Sequence, residues 1–127
     1  MIRLLAFSAF AVVFSAGAAV AARPDAAATL AKFENTGNTE SCLNVRTISS
    51  ITPLSDTEFL VRVGTSRYYL NETHGKCIGA ASAFSRLQYT TTTGMLCSNQ
   101  VVDVVDNSTG FTSGACALGD FQELRKK

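Results

Sequence analysis

The chain has 127 residues, 46% of them apolar, and carries 11 Lys and Arg against 10 Asp and Glu. A balance so close to neutral argues against a nucleic-acid or anionic-membrane surface, either of which needs a basic excess. A single histidine and four cysteines leave little material for a metal site.

The first 22 residues read as a secretory signal peptide. Arg3 supplies the positive start, an apolar run extends from Leu4 to about Val13, and small residues follow. Ala19-Val20-Ala21 and Val20-Ala21-Ala22 both suit the shallow pockets of a signal peptidase, and cleavage after Ala22 is preferred. The apolar run is shorter than the ~20 residues that span hydrocarbon, and Ser8, Ser15 and Gly17 interrupt it, so no stable membrane span is expected after cleavage. Cleavage removes Arg3 alone among the charged residues, which leaves 10 basic and 10 acidic side chains.

Residues 23–40 read as an N-terminal arm, with a turn or two of helix over Ala26–Phe33 that Asn35-Thr36-Gly37-Asn38 ends. One compact domain is expected over residues 41–124, followed by a solvated basic tail at Arg125-Lys126-Lys127. Leu43–Ile51 is a strand whose alternation slips, which calls for a bulge or bend near Arg46–Thr47. Thr52–Asp56 is a turn. Glu58–Val63 alternates cleanly, with Phe59, Val61 and Val63 on one face; Gly64-Thr65-Ser66 turns it back into Arg67–Leu70. Cys77–Leu87 is open between a helical face (Cys77, Ala80, Ala81, Phe84) and a strand beginning at Leu87 and Tyr89. Val101–Val105 and Phe111–Leu118 form a second hairpin around Asp106–Gly110, and Phe121 and Leu124 dock the tail. Five to seven short strands predict a mostly β fold, a small antiparallel barrel or sandwich.

Cys42, Cys77, Cys97 and Cys116 all follow the leader, so they read as two disulfides that staple a small exported domain. Three pairings are open. The nested one, Cys42–Cys116 with Cys77–Cys97, is preferred, because it ties the ends of the domain together and closes one interior loop; direct Cys97–Cys116 pairing is disfavoured, since a hairpin at Asp106–Gly110 sets Cys97 opposite Gly119. The rival metal reading lacks a C-x-x-C pair and has only His74 beside Cys77, so no metal ligands are assigned.

Signals for chemistry are sparse. His74 sits in a polar loop. Asp103 interrupts an apolar strand, and Asp106 lies three positions on, which on a strand turns the two carboxylates to opposite faces. Serine elbows, phosphate loops and dinucleotide glycines are absent, so no catalytic or cofactor-binding residue is assigned and no cofactor is expected. Asn71-Glu72-Thr73 and Asn107-Ser108-Thr109 match the glycosylation sequon, which matters only in a eukaryotic host; the alanine-rich leader looks bacterial.

Several ordered motifs carry a resemblance. They are Thr57-x-Phe59-Leu60-Val61, Tyr68-Tyr69-Leu70-Asn71, Leu96-Cys97 before Val101–Val105, and Gly114-x-Cys116-x-Leu118-Gly119-x-Phe121. Over residues 41–122 the chain resembles a domain-of-unknown-function family of small, exported, four-cysteine proteins of Gram-negative bacteria. That family carries a Gly and an Asp after the third cysteine where this chain has Ser98-Asn99-Gln100, so any task of that aspartate is missing here. The resemblance implies a periplasmic location and no established activity. The expectation is a periplasmic or secreted, non-enzymatic module that binds a protein or a small-molecule ligand. An inhibitor of an envelope enzyme, working through Asn71–Lys76 or Thr90–Gly94, comes next, then a structural envelope protein, then an enzyme.

Overall fold

The computed structural model describes residues 26–127, so the leader and its cleavage site lie outside the described residues. A short helix α1 (Ala26–Leu30) precedes ten strands: β1 (Phe33–Glu40), β2 (Cys42–Asn44), β3 (Ile48–Pro53), β4 (Glu58–Val63), β5 (Arg67–Glu72), β6 (Ser85–Gln88), β7 (Met95–Cys97), β8 (Val101–Asp106), β9 (Thr112–Ala117) and β10 (Phe121–Lys126). They form three antiparallel sheets, ordered β1-β10-β5-β4-β3, β2-β7 and β6-β8-β9. The fold is mostly β, as the sequence predicts, with more and shorter strands than the five to seven expected.

The difference has physical causes. The slip near Arg46–Thr47 is a turn of 3-10 helix (Val45–Thr47) that divides the anticipated long strand into β2 and β3, with Asn44 Oδ1 accepting from the Arg46 amide at 2.9 Å. The stretch read as an arm supplies β1, and the stretch read as a basic tail supplies the end of β10. Neither alternates in sequence, because each is fixed by its neighbour: β1 pairs with β10 from Phe33↔Lys126 to Glu40↔Phe121, and β10 pairs in turn with β5. Of the two readings open over Cys77–Leu87, the helical face does not form, and Ser85–Gln88 is strand β6. Tight turns carry Cys77 and Ala80 into the core and leave Phe84 75% exposed.

The β4–β5 hairpin forms where the sequence predicts it, in register from Glu58↔Glu72 to Val63↔Arg67, and buries Phe59, Val61 and Val63. These pack with Tyr69, Leu96, Val102, Val104, Leu118 and Phe121 in the main core. Burying each large side chain contributes roughly 1.5–3 kcal/mol. The next residue along a strand faces the opposite way, so Leu70 and Leu124 build a second cluster on the outer face of the five-stranded sheet, with Phe33, Leu60, Tyr68 and Leu30 of α1.

The two disulfides pair Cys42 with Cys97 and Cys77 with Cys116, in place of the nested arrangement preferred from sequence. β2 and β7 run antiparallel with Cys42 directly opposite Cys97. The segment around Cys77 runs beside β9: the His74 amide donates to Ala117 O at 2.9 Å, and Ser113 Oγ donates to Ile78 O at 3.4 Å. Gly114 makes that approach feasible, since a Cβ there would stand 2.9 Å from Ile78 O. The hairpin register does keep Cys97 away from Cys116: Val101 faces Ala117 and the Asn99 amide donates to Leu118 O.

One buried polar contact joins two of the sequence motifs. Asn71 is fully buried; its Nδ2 donates to Gly119 O at 2.7 Å and its Oδ1 accepts from the Gly119 amide at 2.9 Å. A Cβ on Gly119 would run into the Glu72 carbonyl oxygen. The side chain thus replaces a missing backbone ladder where the chain enters β10.

Candidate binding groove

A sheet edge carries a row of backbone groups without ladder partners, and proteins blunt such edges with charge, bulges or cover. Among the described residues, β1 is blunted by a register break between Asn35 and Thr39 and by exposed Glu34 and Glu40. The edge strand β9 is covered by the 74–78 segment and the Cys77–Cys116 bridge. The short strands β2 and β7 pair only with each other and are joined by Cys42–Cys97. The edges β3 and β6 are lightly blunted, β3 by a register shift between Ile48 and Ser50 and by Pro53, β6 by Arg86. Each has one ladder partner, β4 and β8 respectively, and they line opposite sides of a groove of about 550 Å³.

The hydrogen-bond phase shows which backbone groups face the groove. The Leu54 amide donates to Glu58 O at 2.8 Å, so alternation turns Thr52 toward β4 and Ile51 away from it. The Asn107 amide donates to Phe84 O at 2.8 Å, so Arg86 and Gln88 bond β8 while Leu87 presents its N–H and C=O to the groove. The side chains of Ile51 and Leu87, with Ile48 and Tyr89, are partly buried against the main core and floor the groove. Arg86 is the one charged residue in the lining; its guanidinium donates to Asn107 Oδ1 at 2.7 Å. Phe84, immediately before β6, and Phe111, 76% exposed, flank the tip of the β8–β9 hairpin through backbone bonds to Asn107 and Asp106. They extend the apolar surface beyond one end of the groove.

The residues singled out from sequence lie elsewhere. His74 is exposed and bridges Ala117 of β9, the edge of the three-stranded sheet opposite β6, so no imidazole approaches the groove hydroxyls. Asp103 is half-buried in β8 between Gln88 and Ala115. Asp106 caps its own hairpin turn: Oδ1 accepts from Ser108 Oγ at 2.6 Å, the Ser108 amide at 2.7 Å and the Thr109 amide at 3.3 Å. These bonds, that from the Ser108 hydroxyl foremost, hold its carboxyl below the usual aspartate range. The Asn71 sequon is closed by burial, whereas Asn107 is exposed. All four cysteines are in disulfides, and among the described residues no three His, Cys, Asp or Glu side chains gather where they could hold a metal ion. Sequence reasoning missed Ile51 and Leu87 as site residues. The signal available was a strand, Ile48–Thr52, with no charge on either face, but its edge position depends on neighbours that the sequence does not declare.

The two disulfides fit a protein that matures outside a reducing compartment. Among the described residues, no helix is long and apolar enough to cross a membrane. Comparison with protein-family models, with curated proteins and with solved structures returned no match for this chain.

Proposed function

We propose that this protein is a non-enzymatic binding module, periplasmic or secreted, that captures an extended polypeptide segment as an added strand in the groove between β3 and β6. The observation that carries this reading is the convergence on one core-floored groove of two strand edges whose Ile51 and Leu87 backbone groups face away from their ladder partners. Strand addition draws affinity from main-chain hydrogen bonds and specificity from pockets for alternate side chains. Ile51 and Leu87 supply the first, and the apolar floor supplies the second. The preferred segment alternates apolar residues and sets a carboxylate opposite Arg86. The leader, the disulfides and the resemblance to exported four-cysteine proteins support the compartment.

Selection from a displayed library of random decapeptides tests the reading. Retained peptides should alternate in hydrophobicity and should protect the Ile51 and Leu87 amides from hydrogen exchange. Ile51→Pro removes an N–H on the groove side without touching the β3–β4 ladder bonds, so it should abolish retention in a protein that keeps its β spectrum. Protection confined to other amides, or a library from which nothing is retained, refutes the site.

A further inference from the structure

Near-neutral total charge hides a segregation of charge along the five-stranded sheet. The register places Glu58 opposite Glu72 and Glu40 opposite Phe121, so Glu40, Glu58, Glu72 and Asp120 gather at one end of the strands. Arg62, Arg67, Arg125 and Lys126 gather at the other, where the Lys127 amide also donates to Lys32 O. At that basic end lies a concavity of about 740 Å³ lined by Arg67, Tyr68, Glu123, Arg125, Lys126 and the Thr65-Ser66 turn, with Thr36 and Asn38 at its rim.

Arg125 and Arg67 each lie one residue beyond the last ladder pair, Leu124↔Tyr68, so continuing the register brings them to facing positions on adjacent antiparallel strands. Like charges so placed destabilise a sheet, unless an anion lies between them. Each cation is also held in position. The Arg67 guanidinium donates to Tyr69 Oη at 2.6 Å and lies 5.7 Å from that ring. Lys126 Nζ lies 5.1 Å from the Tyr68 ring, and Arg125 meets Glu34 at 3.3 Å. The Arg125–Glu34 pair is well exposed, at 70% and 48%, and such pairs contribute little. Glu123 is the one carboxylate in the lining. Cations fixed before the ligand arrives lose less freedom on binding, and paired guanidinium forks match phosphate oxygens.

We propose that this basic concavity is an anion site for a phosphate-bearing ligand, gripped between Arg67 and Arg125. It is separate from the β3–β6 groove, and neither reading needs the other.

The test is an NMR titration of the purified protein with inorganic pyrophosphate, beside sedimentation with vesicles of phosphatidylglycerol in phosphatidylcholine. Saturable shifts should appear at the Arg67 and Arg125 Nε–H signals and weaken several-fold as salt rises from about 50 to about 300 mM. Arg67→Gln and the exposed Arg125→Gln should each weaken binding, the former by about tenfold. Glu123→Gln should strengthen it, and Lys76→Gln, toward the acidic end, should leave it unchanged. Pyrophosphate binding without vesicle binding identifies a soluble phosphate ligand; binding to the phosphatidylglycerol vesicles identifies a headgroup. Absence of saturable shifts with either probe overturns the proposal, as does equal weakening by Lys76→Gln and Arg67→Gln.

Discussion

Asn71→Leu is the most informative single substitution in the core. Leucine keeps asparagine's branch at Cγ but is bulkier, so the change removes the amide, leaves no void, and adds some overpacking at a fully buried site. What it leaves is the Gly119 N–H and C=O, both buried and both without the partners that Asn71 supplies at 2.9 and 2.7 Å. Each orphaned group costs about 1–3 kcal/mol, hence about 2–6 kcal/mol together, less whatever the extra apolar burial returns. A domain of this size has about 5–15 kcal/mol in all, and 1 kcal/mol moves its Tm by about 4–8 °C. Asn71→Leu should therefore cost about 2 kcal/mol or more, lower Tm by about 8 °C or more, and shift the urea midpoint without changing the slope. Asn71→Asp separates the two bonds. The new carboxylate still accepts from the Gly119 amide but faces Gly119 O, which raises its pKa in the folded state because the protonated form can donate there. A folded-state pKa above the unfolded value gives stability that is present at low pH and lost as pH rises through the folded pKa. Asn71→Asp should thus regain stability on acidification where Asn71→Leu does not. If Asn71→Leu costs less than about 1 kcal/mol, the side chain does not serve as a replacement for a backbone ladder.

Four further outcomes follow from the same structure. Non-reducing peptide mapping should yield Cys42–Cys97 and Cys77–Cys116; removing either bridge, across sequence separations of 55 and 39 residues, should cost about 4 kcal/mol in the chain-entropy account. Under limiting reductant the half-buried Cys42–Cys97 bridge should open before the buried Cys77–Cys116 bridge, as read by mass-tagged thiols. Asp106 should titrate below an ordinary aspartate in a carboxyl NMR experiment. Because its folded pKa is depressed, its contribution is present above the unfolded value and lost as pH falls through the folded one, and the Ser108 and Thr109 amides should then exchange faster. Phe33→Ala should detach β1 from the outer cluster, seen as lost protection of the Phe33–Asn35 amides while Phe59 and Val61 amides stay protected.

The elements legible in the sequence are those in which local pattern and tertiary role agree. Phe59, Val61 and Val63 alternate because one face of β4 is buried, and Gly64 follows where the turn is needed, so the hairpin through Arg67 reads directly. The slip at Arg46–Thr47 was visible because a 3-10 turn breaks a period of two. β10 defeats the same reasoning: Phe121 faces the main core and Leu124 the outer cluster, so its apolar residues share no face. β1 has one buried residue, Phe33, and is a strand through its neighbour rather than through its composition. Disulfide pairing was out of reach because it depends on β2 lying against β7, a neighbourhood that cysteine spacing does not encode. The groove was hidden for a related reason, since an edge is a property of sheet order. The basic concavity was hidden because total charge averages over two ends that the ladder keeps apart.

The placement of β10 has a consequence for the order of events in folding. The five-stranded sheet has its most C-terminal strand in second place, between β1 and β5, so Phe33 meets Lys126 and Tyr68 meets Leu124. Contacts this distant in sequence form late, after long loops have closed. Until residues 121–126 arrive, β1 has nothing to pair with and Asn71 has no Gly119 to clasp. The five-stranded sheet therefore stays incomplete until residues 121–126 slide into the gap between β1 and β5, so its closure waits for the last strand to be available.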